Sequence, residues 1–312
     1  MFFEYLDDVD EDPSRDQHVY LQFVLWRDDA SGGRVARCMT RRVPTTSSNV
    51  AYLRAVRPDV AALLAAKKAA LDAQSPAVGP AEAADRVEAR VLDVADVFSP
   101  LPSDAEPALL HPFPEELSPF AEAMYHLLRG PMLGRVAGHE DERAATRARF
   151  LDASIDAAAP ALQPRLRVWR GGDTWEVIPP ADLALRTSDA LFLDHGSEMF
   201  AWIGRGTAAA AKEEARAAAR SLASTLARGR FPIPRVRIFD EGSSAARYMV
   251  SRLAPLHRES THEQDARFPP ARLMTPEERS ATIAALPPTE EPSFVGWMRE
   301  LGLAAPPVVG SW

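Results

Sequence analysis

Apolar and polar positions change period several times along the chain. Residues 18–26, HVYLQFVLW, are rich in Val, Leu and aromatics, which predicts a strand. The turn cluster RDDASGG follows, and RVARCMTRRV at 34–43 predicts a partner strand, so the two make a hairpin. A lone hairpin is marginal in water, so this piece is expected to belong to a larger sheet. From Ser48 the period becomes helical. In 59–73, Val60, Leu63, Leu64 and Leu71 recur at helical spacing behind Pro58 and Asp59. Further helices are expected over 81–98, 120–130 and 141–162. Between them, 99–119 holds six prolines and reads as a connector.

Strand signals return after Pro164. RLRVWRGG and TWEVIPP predict a hairpin, and 189–206 holds two apolar runs around a turn at Asp194–Ser197. The alanine-rich segment 208–228 predicts a helix. A proline-pinned loop, RFPIPR at 230–235, leads into another strand and the small-residue turn DEGSSAA. Residues 257–292 are polar and proline-rich and read as irregular, and 292–301 as a short last helix.

The chain has 312 residues, enough for two or three modules. Its net charge of −8 argues against a nucleic-acid binder, which carries a basic footprint. The charge is uneven: residues 1–16 are strongly acidic, while 201–250 hold nine Lys and Arg against four Asp and Glu, a local +5. One cysteine, Cys38, permits no disulfide within the chain, which fits a reducing, cytosolic setting. The start lacks the basic and apolar regions of a signal peptide. No apolar run reaches the roughly 18 residues of a membrane span.

Familiar catalytic signatures are missing. There is no phosphate loop of the GxxxxGK[ST] type and no GxSxG elbow. The seven histidines lack metal-ligand spacing; His139 reads as a solvated helix start and His126 as a packed side chain. Cys38 reads as a strand side chain, and Gly204 and Gly206 as a tight turn.

Arg247 reads either as a plain surface arginine at a helix start or as a residue with a task outside the chain. It opens a helix, where the dipole disfavours a cation. The small residues before it let a partner approach closely, and Pro232 and Pro234 stiffen the nearby loop. A rigid, exposed arginine behind small residues is what an arginine finger requires. Such a finger enters another protein's nucleotide site and neutralises charge on the transferred phosphoryl, which in small GTPases is worth about 10³–10⁵ in rate. Arginine suits this because it stays charged and its planar fork matches phosphate oxygens.

RFPIPR at 230–235 and DEGSSAARYMVSRLAP at 240–255 together resemble the GTPase-activating subunit family of the COPII vesicle coat, the Sec-twenty-three family. SPFAEAMYHLLRGPML resembles that family's helical domain, QFVLWRDDASGGRVARCMT a late β-sandwich hairpin, and TEEPSFVGWMREL its last helix. The resemblance implies a multidomain α+β chain: a partial β-sandwich hairpin over 1–47, an all-α helical domain over 48–163 and a gelsolin-like α/β domain over 164–312. It implies a cytoplasmic coat subunit, peripheral on the endoplasmic reticulum membrane, acting in transport to the Golgi. The implied partners are a Sar-type small GTPase, a Sec-twenty-four-type subunit and the outer-layer cage. By position, Arg247 is the arginine supplied in trans, with Arg230, Phe231, Pro232, Pro234, Arg235, Gly242, Ser243 and Ser244 facing the partner.

The sequence departs from the family pattern in places. A family glycine is Ser243, which would be strained if that position needs φ > 0, and a family glutamine is Ala245. The family's trunk and its cysteine zinc site have no counterpart, so no cofactor is expected, and the chain reads as a fragment or a reduced paralogue that docks without activating. A gelsolin-type actin- or calcium-binding module is the competing reading, with Asp189, Asp194 and Glu214 as carboxylate ligands.

Overall fold

The computed structural model describes residues 18–100, 109–133 and 140–307. The acidic start, connector residues 101–108 and His139 lie outside the described residues. The chain divides into two compact units, Met1–Val56 and Arg57–Trp312.

In the first unit, β1 (His18–Asp28) pairs antiparallel with β2 (Arg34–Pro44). Asp29 closes the turn by accepting from the backbone N–H groups of Ser31 and Gly33, both at 2.9 Å, and Gly32 supplies φ +81. A short helix, α1 (Asn49–Ala55), starts on Ser48, whose Oγ accepts from Ala51 N–H. Cys38 is a free, exposed thiol on β2.

The second unit opens with helices α2 (Pro58–Gln74) and α3 (Gly79–Phe98). The leucine positions do not mark the buried face of α2, since Leu64 and Leu71 are exposed. Its buried side chains are Leu63 and six alanines, Ala62, Ala65, Ala66, Ala69, Ala70 and Ala73. Methyl-sized side chains let α2 lie close to its neighbours. After a two-residue strand, β3 (His111–Pro112), come α4 (Ser118–Arg129) and α5 (Glu140–Asp152). The helix expected over 141–162 is broken. Lys67 Nζ donates to the carbonyls of Leu151 and Ala153, closing α5, and Ser154 caps a new turn, α6 (Ile155–Ala158).

A five-stranded sheet follows, in the order β5-β4-β6-β7-β8. Its strands are β4 (Arg165–Trp169), β5 (Trp175–Ile178), β6 (Ala190–Asp194), β7 (Glu198–Ile203) and β8 (Arg235–Asp240). All pairs are antiparallel except β7–β8, which α7 (Ala209–Leu226) joins as a parallel crossover. Alternation along the strands divides the core. Leu166, Leu191, Leu193, Phe200 and Phe239 face one layer, while Phe192, Met199 and Ala201 face Ala219 and Ala223 of α7.

Residues 257–292 are not irregular. They hold α9 (Thr261–Arg267) and α10 (Pro276–Ala285), after the one-turn helix α8 (Arg247–Val250). Ser260 caps α9, and Thr275 with Glu278 forms a capping box on α10. Buried Phe268, Ala271 and Met274 pin this region to the sheet. The last helix, α11 (Phe294–Glu300), leans on the helical layer: Tyr125 donates to Pro292 O at 2.8 Å, and its ring meets Phe294 and Trp297, each at 5.7 Å. A final strand, β9 (Leu303–Ala304), runs parallel to β3. His126 packs edge-on against Tyr125 at 5.3 Å, and burial, with Arg129 beside it, lowers its pKa to about 3.

Candidate functional site

Arg247 owes its position to the way β8 ends. Ser243 N–H donates to Asp240 O at 3.0 Å, and Gly242 supplies the left-handed turn residue with φ +83. Ser243 itself sits at φ −65, so this serine carries no strain where the family has glycine. Its Oγ accepts from Ala245 N–H at 3.3 Å, which caps the following turn. Ala246 and Met249 are buried and anchor α8, and Arg247 and the Ser243–Ser244 turn stay exposed. Among the described residues no carboxylate pairs with Arg247; its guanidinium lies over the Tyr248 ring, 5.3 Å from the centroid. The side chain is thus held at the surface with its charge unspent.

The RFPIPR loop is built differently. Arg230 is turned inward: its guanidinium donates to both oxygens of Asp194, at 2.8 and 2.9 Å, and to Gly196 O at 3.1 Å. Asp194 is only 1% exposed, so this is a buried, bidentate pair. Arg230 is therefore no free docking cation; it latches the loop to the β6–β7 turn. Beyond it, Phe231 and Ile233 are 94% and 73% exposed, while Pro234 is buried. Pro232 and Arg235 are exposed.

The structure does not gather these residues into one pocket. The loop enters β8 and the Gly242–Ser244 turn leaves it, a separation of about 20 Å along six strand residues. The chain then doubles back through α8, so that Arg252 reaches Glu198, the β7 residue paired with Arg235. Glu198 holds Arg252 at 3.1 Å and Arg237 at 3.8 Å, and Arg237 in turn lies 5.5 Å from the Tyr248 ring centroid. Tyr248, Arg237 and Glu198 escaped the sequence reading, and Asp194 entered it only as a turn residue and a calcium ligand. The available signals were an aromatic directly behind the arginine, and two carboxylates flanking the turn after a wholly apolar run.

The carboxylates of the calcium reading stand apart. Asp189 precedes β6 and pairs with Arg186 at 2.7 Å, Asp194 ends that strand on Arg230, and Glu214 accepts from Gly172 N–H at 3.1 Å. Among the described residues no group of three or more His, Cys, Asp and Glu could hold a metal ion, and no helix is long and apolar enough to cross a membrane. Gly204 serves the expected tight turn, because a Cβ there would meet Thr187 O at 2.2 Å.

A sheet of this order, with a parallel crossover helix on one face, defines a gelsolin-type domain, and residues 178–249 match the gelsolin repeat family. The chain is also 38% identical over 297 residues to protein transport protein SEC23 A of Arabidopsis thaliana. That match covers 94% of this chain and 33% of the relative, so the chain spans about a third of its length. The chain is a Sec23 homologue. The crystal structure of the human COPII-coat protein Sec24c shares the fold, with a TM-score of 0.64 at 14% identity, covering 84% of this chain and 37% of that one.

Proposed function

We propose that the chain works as a subunit of the COPII vesicle coat in transport from the endoplasmic reticulum, and that it activates a Sar-type small GTPase by supplying Arg247 in trans. The observation that carries this reading is the exposed guanidinium of Arg247, held over Tyr248 on a buried anchor and unpaired with any described carboxylate. Inserted beside a bound GTP, it would neutralise charge developing on the transferred phosphoryl as water attacks. The exposed Phe231 and Ile233, the exposed Arg235 and the Gly242–Ser244 turn supply the surface against which the GTPase would rest. Placement on the cytoplasmic face of the membrane, beside a Sec24-type subunit and an outer cage, belongs to the same proposal, and the homology to SEC23 A supports it.

Single-turnover hydrolysis by a GTP-loaded Sar-type GTPase, titrated with the chain, tests this. The parent chain raises the rate, and Arg247→Ala loses most of the stimulation while its thermal melt stays within a degree or so, because the side chain is exposed. An Arg247→Ala chain that stimulates like the parent refutes the assignment.

A further inference from the structure

We propose that Tyr248 is a positioning residue for the reaction just described: its ring, backed by Arg237 and Glu198, holds the Arg247 guanidinium in its outward pose. This rests on the reading of Arg247 as the arginine supplied in trans.

A long arginine side chain on an open surface samples many rotamers, and every one lost on entering a partner's site lowers the rate. Here one surface removes much of that freedom. The Arg247 guanidinium lies 5.3 Å from the Tyr248 ring centroid, within the range where a ring face attracts a cation. The ring is itself held on two sides. Tyr248 packs against the sheet core, and Arg237 lies 5.5 Å from the ring centroid; Ser251 Oγ donates to the Tyr248 carbonyl at 3.1 Å and steadies the backbone beneath it.

Two cations on one ring would repel, and Glu198 answers that. It sits 3.8 Å from Arg237 and 3.1 Å from Arg252, whose own side chain is almost wholly buried. The carboxylate is shared between the two arginines, so it offsets part of the charge of the supporting Arg237 and leaves Arg247 without a counter-ion among the described residues. Among the described residues the Arg247 side chain has no hydrogen bond or ion pair, and its one printed contact is the ring. A purely structural aromatic would not need a guanidinium on its outer side.

Two measurements on the full chain test this. In the free chain, NMR of the Arg247 side chain shows a ring-current shift that Tyr248→Leu abolishes and Tyr248→Phe keeps. In the single-turnover assay, Tyr248→Leu lowers the maximal stimulated rate by about two- to fivefold, the factor a surface cation–π contact is worth. Its half-saturating concentration stays unchanged, and Tyr248→Phe restores the rate. The proposal is overturned if Tyr248→Leu keeps the full rate, if Tyr248→Phe is as poor as Tyr248→Leu, or if only the half-saturating concentration moves. Arg247→Ala run alongside separates the two ideas. Where that variant loses the stimulation but Tyr248→Leu keeps the full rate, the positioning role alone falls; where Arg247→Ala stimulates like the parent, both fall.

Discussion

Asp194→Ala removes the latch beneath the partner-facing loop, and its cost can be worked from the contacts. The Asp194 carboxylate is 1% exposed and accepts two N–H groups from Arg230 and one from Gly196. Truncation leaves the Arg230 guanidinium, 13% exposed, without its counter-ion. Arg167 lies in the same field: burial pushes its pKa down, Asp194 opposes that shift, and its Nη1 has no partner. Breaking a buried charged pair costs about 3–5 kcal/mol; Gly196 O still accepts from Arg230, which places the expected loss near the lower end, about 3 kcal/mol. Arg230→Ala should cost about as much, since it strands the carboxylate instead. The double variant should lose only slightly more than either single one, a coupling of about 2 kcal/mol. Urea unfolding followed by tryptophan fluorescence reads this as a midpoint lower by about 1 M for each single variant. Single variants that each cost under about 0.5 kcal/mol, or costs that simply add, would show that the pair does not hold the loop.

Two further outcomes are expected. Gly204→Ala places a methyl group 2.2 Å from the Thr187 carbonyl oxygen, a backbone atom that cannot swing aside, and should cost about 3 kcal/mol or more in the same unfolding experiment. His195 is 2% exposed, and burial, with Arg252 and His126 adding, holds its pKa well below the usual histidine range. The folded chain keeps it neutral where the unfolded chain takes up a proton, so stability falls as pH drops through about 6.5 and is lower by about 1.4 kcal/mol at pH 5.5 on this account alone. His195→Leu should flatten that part of the pH dependence; an unchanged slope in the variant would show that His195 does not cause it.

The sheet and its crossover helix were legible because their signals are local. LFLD and MFAWI are short apolar runs around a turn, and the alanine-rich stretch over 208–228 has few alternatives to a helix. The helices over 257–292 were not legible, since Pro269, Pro270 and Pro276 read as breaks. Pro276 in fact sits at the first position of α10, where its missing N–H costs nothing. Arg247 stood out in the sequence because it has no structural use there, and the structure leaves it exposed and unpaired among the described residues. Arg230 looked equivalent to it on paper. Only the fold, by bringing a buried aspartate from the far side of α7 to meet it, separates a cation that faces outward from one that is consumed within. Tyr248 was hidden for a similar reason: its meaning lies in Arg237, which reaches it from β8, and in Glu198 of β7, which pairs with that arginine.

The alanine faces of α2 and α7 set how this protein can change. Where a helix meets its neighbour through methyl groups, α2 against helices and α7 against the sheet, there is little left to trim and almost no slack to fill. Trimming an alanine there to glycine costs about 1 kcal/mol in helix propensity, whereas thickening one forces the helix off its neighbour. The hazard in these layers therefore lies more in added bulk than in lost volume, unlike that of an ordinary leucine-filled interior.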